Sequence, residues 1–219
     1  MLRTVPLFAS VSEPTLTSLA NASHLWRVPK GRTLFNQTDT ADAVYVVRSG
    51  CIAILLSTSD GRELVINEMR AGDCFGELAV VTGQPRSTDA VARETSEVVE
   101  ISREAFLAAL ELEPQLVHQL LKSTALRLRA SSERESALAF LDASGRLARV
   151  LLQLDRQSSA DGFVTIAQEE LAQHVGLTRQ TVAKILGRWR RTGWVITGRG
   201  KIMLLNRAAL RRQAEGSEE

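Results

Sequence analysis

Two short constellations in this 219-residue sequence carry groups able to do chemistry, and both suit gripping phosphates and hydrogen-bonding edges rather than breaking bonds. In the first, Phe75-Gly76-Glu77-Leu78 is followed, nine residues after Glu77, by Arg86-Ser87-Thr88. Glycine lets backbone amides approach an anion, arginine offers a fork to phosphate oxygens, and a carboxylate accepts a hydrogen bond from a ribose hydroxyl. Taken alone, Glu77 and Arg86 read equally as a solvated ion pair. In the second, Arg179, Gln180 and Lys184 lie on the exposed face of one helix. Arginine suits the O6/N7 pair of guanine, and glutamine pairs bidentately with adenine. Gln168, Thr178, Thr181, Arg188 and Arg190-Arg191 suit phosphate contacts, which position without specifying. For the threonines, capping and solvation are an equal alternative.

Bond-breaking chemistry has no such support. There is no nucleophile–base motif, metal cluster or Walker loop, so nothing in the sequence points to an enzyme. His24, His118 and His174 lack metal-ligand spacing, and Cys51 and Cys74 are too few for a four-thiolate site or a disulfide framework. Two lone cysteines suit a reducing cytoplasm. No apolar run approaches the roughly 20 residues of a membrane span, and no membrane role is expected.

Charge is distributed unevenly. Residues 1–142 carry 14 Lys and Arg against 18 Asp and Glu, a net −4, whereas residues 143–212 carry 13 against 4, a net +9. Three glutamates fall in the last seven residues. A +9 segment of 70 residues is what phosphate neutralisation requires.

The elements that must position these groups follow from periodicity. The first 28 residues read as short helices, with proline in the first turn after Ser12-Glu13. From Pro29 to about Ile101, short β-type runs alternate with Ser49-Gly50, Asp60-Gly61 and Ala71-Gly72-Asp73, which predicts a barrel or jelly roll with a hairpin at Asp60-Gly61. After Pro114, Val117, Leu121, Thr124, Leu128, Ser131, Glu135 and Leu138 recur by fours and threes as a heptad seam, the pattern of a dimer helix. Phe140 to Gly145 interrupts it, with Asp142 or Ser144 able to cap a new helix.

Residues 168–188 then fit a helix-turn-helix: Ala172 at the crossing, Gly176 at the turn, Thr178 as cap, and Leu171, Val175, Val182 and Ile185 on the meeting faces. Thr197-Gly198-Arg199-Gly200-Lys201 between two apolar runs predicts a hairpin wing with Arg199 and Lys201 at its tip.

The series Gly50, Asp60-Gly61-Arg62, Gly72 through Leu78 and Pro85-Arg86-Ser87 resembles the cyclic-nucleotide-binding domain of the cyclic-AMP receptor (catabolite activator) family, also called CRP/FNR. Ala139 to Asp142 with Gly145-Arg146 is similar to that family's hinge, and the helix-turn-helix to its DNA-binding domain. The resemblance runs from about residue 7 to 206. It implies an α+β chain: a double-stranded β-helix (jelly-roll) nucleotide domain over 1–112, a dimerisation helix over 113–141, a winged helix-turn-helix over 142–212 and a polar tail over 213–219.

It implies further that Glu77 holds the ribose 2′-hydroxyl, that Arg86 holds the cyclic phosphate, and that Ser87, Thr88 and the amides around Gly76 and Leu78 complete the cradle. Ser131 and Ser132 align with a pair that contacts adenine, and Arg127 with an arginine near the ligand. The implied protein is a cytoplasmic homodimer with no resident cofactor. It binds a two-fold-symmetric duplex operator under control of cyclic AMP and touches RNA polymerase near residues 158–162.

Thr88 and Asp89 depart from the family's small and apolar residues, and an inward-pointing Asp89 would weaken phosphate affinity. Gln180 and Lys184 stand for the family's glutamate and arginine, so the operator is expected to differ at that base. The alternatives are cyclic GMP, a cyclic dinucleotide or no effector on the same fold, a kinase-type regulatory subunit, and a nucleoid protein without sequence preference.

Overall fold

Strands that read as unbroken apolar runs turn out to be covered on both faces, and this organises the N-terminal unit. A computed structural model describes residues 2–58, 63–157 and 162–216. The Asp60-Gly61 hairpin and most of the 158–162 loop fall outside the described residues. The chain forms α1 (Glu13–Asn21), β1 (Ser23–Val28), β2 (Thr33–Phe35), β3 (Ala43–Ser49), β4 (Cys51–Ser57), β5 (Glu63–Arg70) and β6 (Cys74–Phe75). Then follow α2 (Glu77–Thr82), β7 (Asp89–Ala92), β8 (Ser96–Ser102), α3 (Arg103–Leu112) and α4 (Pro114–Phe140). Two four-stranded sheets, ordered β1-β8-β3-β6 and β2-β7-β4-β5, make the double-stranded β-helix.

In β3, residues 43–47 are all buried. Ala43, Tyr45 and Val47 face the core between the sheets with Phe35, Ile52, Phe75 and Val98. Val44 and Val46 face outward under the helices, with Phe8, Leu19, Phe106 and Leu116. Alternate side chains of one strand therefore serve two cores, which is why the run shows no polar alternation.

Two local expectations need correction. Residues 23–28 form a strand, not helix: β1 pairs antiparallel with β8 from Ser23↔Ile101 to Val28↔Ser96. It is an edge strand with His24 to Arg27 exposed, so no period-two burial marks it in the sequence. The segment read as strands and turns also contains the helix α2. Its left-handed glycines Gly76 (φ 78°) and Gly83 (φ 70°) bracket only six residues, too few to show helical periodicity.

Contact clustering divides the chain into two units, residues 1–57 with 66–129, and 58–65 with 130–219. In the second, α4 ends at Phe140 and α5 (Ala143–Gln157) begins three residues on. Asp142 supplies the cap, its Oδ1 accepting the Gly145 amide at 2.6 Å. Gly145 lies inside the first turn of α5 rather than breaking a helix. A Cβ there would stand 2.9 Å from the Gln213 carbonyl oxygen, so glycine permits the close approach of α5 to the C-terminal helix.

The remaining elements are β9 (Val164–Thr165), α6 (Gln168–Val175), α7 (Arg179–Arg191), β10 (Val195–Gly198), β11 (Lys201–Leu204) and α8 (Arg207–Ala214). Their core comprises Leu147, Leu151, Leu171, Val182, Leu186 and Trp189 among others. Arg207 on α8 grips Asp155 on α5 through Nε (2.8 Å) and Nη2 (2.9 Å), a bidentate tie between the two helices. No helix among the described residues is long and apolar enough to cross a membrane.

Candidate functional site: ligand cradle and nucleic-acid interface

The turn from β6 into α2 brings the first constellation together. Gly76 adopts φ 78° as the residue before α2. A Cβ at this position would fall 2.6 Å from Arg86 Nη1, so both conformation and space demand glycine. The turn delivers Glu77 inward, and the carboxylate is 1% exposed. Arg127 on α4 reaches it, with Nη1 to Oε1 at 3.0 Å. Neither carboxylate oxygen takes a well-aligned hydrogen bond from a described residue. Burial pushes the Glu77 carboxyl above the ordinary carboxylate range, only partly opposed by Arg127 and Arg86.

Arg86 is buried as well and is held by backbone. Its Nη1 donates to the Gly76 carbonyl at 2.7 Å and its Nη2 to the Ala43 carbonyl at 2.6 Å. The guanidinium carbon lies 4.3 Å from the centre of the Phe35 ring and 5.6 Å from that of Tyr45. Nε finds no described partner. Burial lowers the Arg86 pKa from its usual value, yet an arginine remains charged at any physiological pH. The solvated Glu–Arg pair is thus excluded. Both groups are desolvated, and Glu77 pairs with Arg127 instead.

Asp89 does not face Arg86. Its Oδ1 accepts the Gln37 amide and its Oδ2 the Ser57 hydroxyl, both at 2.6 Å. Its charge is spent tying β7 to neighbouring segments. Ser87 and Leu78 are exposed and Thr88 is half-buried at the rim. Ser131 and Ser132 fall in the second unit, a turn further along α4, where Ser131 donates to Glu135 at 3.3 Å. Gly76, Glu77, Arg86 and Arg127 are therefore the residues brought together within one unit. Phe35, Tyr45 and Ala43, which clamp Arg86, escaped the sequence reading because an aromatic in a strand reads simply as core.

The second constellation lies on α6 and α7. Gly176 terminates α6 at φ 64°, and Thr178 caps α7 by accepting the Thr181 amide at 3.2 Å. Leu171, Ala172, Val175, Val182 and Ile185 are buried where the helices meet. Arg179, Gln180 and Lys184 stand exposed on α7, and Gln168 is half-buried at the start of α6. Thr178 and Thr181 are also joined hydroxyl to hydroxyl at 2.9 Å. Arg188 donates to the buried Ser144 at 2.6 Å, so part of its fork braces α7 against α5.

The β10–β11 hairpin, in register from Val195↔Leu204 to Gly198↔Lys201, carries Arg199 in its turn. Lys201 Nζ lies 5.6 Å from the Phe163 ring centre. An exposed helix face bearing two cations and an amide, beside a cationic wing, matches major-groove readout with flanking phosphate contacts.

Comparison with known proteins agrees with both halves. Residues 25–113 match the cyclic nucleotide-binding domain family and residues 145–213 the Crp-like helix-turn-helix domain family. The cAMP-activated global transcriptional regulator CRP of Salmonella typhimurium is 35% identical over 181 residues, covering 80% of this chain and 86% of that protein. This chain belongs to the CRP/FNR family of transcription regulators. The CRP-like cAMP-activated global transcriptional regulator of Mycobacterium tuberculosis is 30% identical over 214 residues, 95% of this chain and 96% of that protein.

Among solved structures, the c-di-GMP-responsive global regulator CLP of Xanthomonas campestris superposes with a TM-score of 0.80 at 25% identity, covering 88% of this chain and 99% of that one. These CRP/FNR relatives are regulators of transcription, not enzymes. The chain is accordingly a DNA-binding transcription regulator with a cyclic nucleotide-binding domain. Its two thiols are buried, and burial raises Cys51 to about 11 and Cys74 likewise upward, so both stay protonated and poorly nucleophilic.

Proposed function

We propose that the chain acts as a cytoplasmic homodimer whose affinity for a two-fold-symmetric operator is set by a cyclic nucleotide, with cyclic AMP as the effector. The observation that carries this reading is the Glu77 carboxylate. It is buried and ionisable, it lacks a well-formed hydrogen bond, and it lies beside a buried guanidinium whose Nε is also unsatisfied. Leaving such groups desolvated costs about 1–3 kcal/mol each, a cost that persists where a ligand satisfies them. A ribose hydroxyl donating to Glu77 and a cyclic phosphate accepting from Arg86 Nε–H, Ser87 and the amides after Gly76 answer both needs. Ser131 and Ser132 would meet the base from α4, and Thr88 would line the rim.

The effector would act by differential binding. Glu77 is held to α4 by Arg127 in this structure. A nucleotide that competes for Glu77 changes how α4 is tethered and so which arrangement of the two α7 helices is favoured. Arg179, Gln180 and Lys184 would read bases while Gln168, Thr178, Thr181, Arg188, Arg199 and Lys201 engage phosphates. RNA polymerase is the expected further partner.

The likeness to a c-di-GMP-responsive regulator supports a second reading, a cyclic dinucleotide on the same fold. Calorimetric titration of the full chain with cyclic AMP, cyclic GMP and cyclic di-GMP separates them. Saturable binding with cyclic AMP at least about tenfold tighter than the others is expected, a gap of roughly 1.4 kcal/mol. Preference for the dinucleotide would replace the effector, and no binding by any of the three would remove it.

A further inference from the structure

Beside the cradle, and not lined by Glu77 or Arg86, a groove of about 430 Å³ opens between the β5–β6 turn, the N-terminal turns and α4. That volume lies in the small-molecule range of roughly 300–1,000 Å³. Its apolar wall includes Leu7, Met69 and Leu126, the last 61% exposed. Its carboxylates are already engaged. Glu68 accepts from Arg70 Nη2 at 2.8 Å, and Asp73 Oδ2 accepts the Arg70 amide at 2.8 Å.

The donors facing the groove are less committed. Asn67 accepts the Glu68 amide through its Oδ1 at 3.0 Å, which leaves its NH2 for another partner. Lys122 is exposed, and no carboxylate among the described residues pairs with its ammonium. Arg127 lines the groove from the side opposite its contact with Glu77. Acceptors spent, donors and a cation available, and an apolar wall beside them together specify an anion with an apolar body.

We propose that this groove is a second binding site, distinct from the nucleotide cradle, for a small monocarboxylate carrying an aliphatic or aromatic tail. The carboxylate meets Lys122 and the Asn67 amide, and the tail lies on Leu7, Met69 and Leu126. The site stands independently of the effector reading, since it uses neither Glu77 nor Arg86.

Hexanoate titrated into the full-length protein, followed by calorimetry or NMR, tests it against hexanamide, which has the same tail and no charge. Saturable hexanoate binding with a dissociation constant on the order of 1 mM is expected, with hexanamide about tenfold weaker or more. Lys122→Gln, an exposed substitution, should weaken hexanoate about tenfold and leave cyclic-nucleotide binding and melting temperature unchanged. Arg86→Gln should leave hexanoate binding unchanged. The proposal fails if hexanoate does not saturate at concentrations on the order of tens of millimolar, or if hexanamide binds as well. It fails also if Arg86→Gln abolishes hexanoate binding while Lys122→Gln does not, which would place the acid in the cradle.

Discussion

Replacing Leu121 by aspartate should convert the protein to monomers and remove high-affinity operator binding. Along α4, Val117, Leu121, Leu128 and Leu138 are 44%, 66%, 67% and 44% exposed, although each is a large aliphatic residue. They recur at the heptad spacing over a helix of 27 residues, about 40 Å long. An exposed apolar seam of that length is what a second copy of the helix covers. A carboxylate in its middle must either be desolvated without a partner or hold the helices apart, at about 3 kcal/mol or more for two copies. Sedimentation should show the wild-type chain at twice the mass of one chain and Leu121→Asp at that of one. Two half-sites bound as a unit would then become two independent weak contacts, and operator affinity should fall by about 100-fold or more. A variant that stays dimeric would move the dimer interface off this seam.

Glu77→Gln should produce the opposite signs in stability and in binding. Burial raises the Glu77 pKa in the folded chain above its unfolded value. The group therefore favours folding below the unfolded carboxylate range, and that contribution is lost as pH rises through the raised folded value. Glutamine mimics the protonated form at every pH. The variant and the wild type should thus unfold with similar free energies in mild acid. A gap of about 1–3 kcal/mol in favour of Glu77→Gln should open as pH rises to neutrality. Arg127, 30% exposed, can rehydrate when its partner is neutralised. Nucleotide binding should weaken by about 10- to 100-fold, because a charged acceptor for the ribose is replaced by a neutral amide. Denaturant melts at several pH values and a nucleotide titration of the same variant check both signs. A variant destabilised at neutral pH would mean that the Glu77–Arg127 pair outweighs its own desolvation.

The helix-turn-helix was legible because its requirements are local. Gly176 needs a left-handed turn, Thr178 needs to cap, and the apolar positions need to meet, all within a few residues of one another. The β-helix was legible as a class from its regular short strands, but β1 was not. It is an exposed edge strand whose only instruction is to pair with β8, more than seventy residues away.

At the cradle, residue types revealed Glu77 and Arg86, yet not their state. Their burial depends on Phe35, Tyr45 and the Ala43 carbonyl, which arrive from three separate places in the chain. The same holds for Asp89. Three residues from Arg86 in sequence, it is drawn away by Gln37 and Ser57. Sequence distance set an upper bound on the separation, and side-chain direction decided it.

Operator affinity of the full-length dimer, with and without saturating cyclic nucleotide at one fixed salt concentration, tests the central claim most directly. The effector should tighten operator binding by about tenfold or more, a coupling of roughly 1.4 kcal/mol or above, and Glu77→Gln should abolish that difference. Equal operator affinities for the wild-type protein in the two conditions would contradict the account.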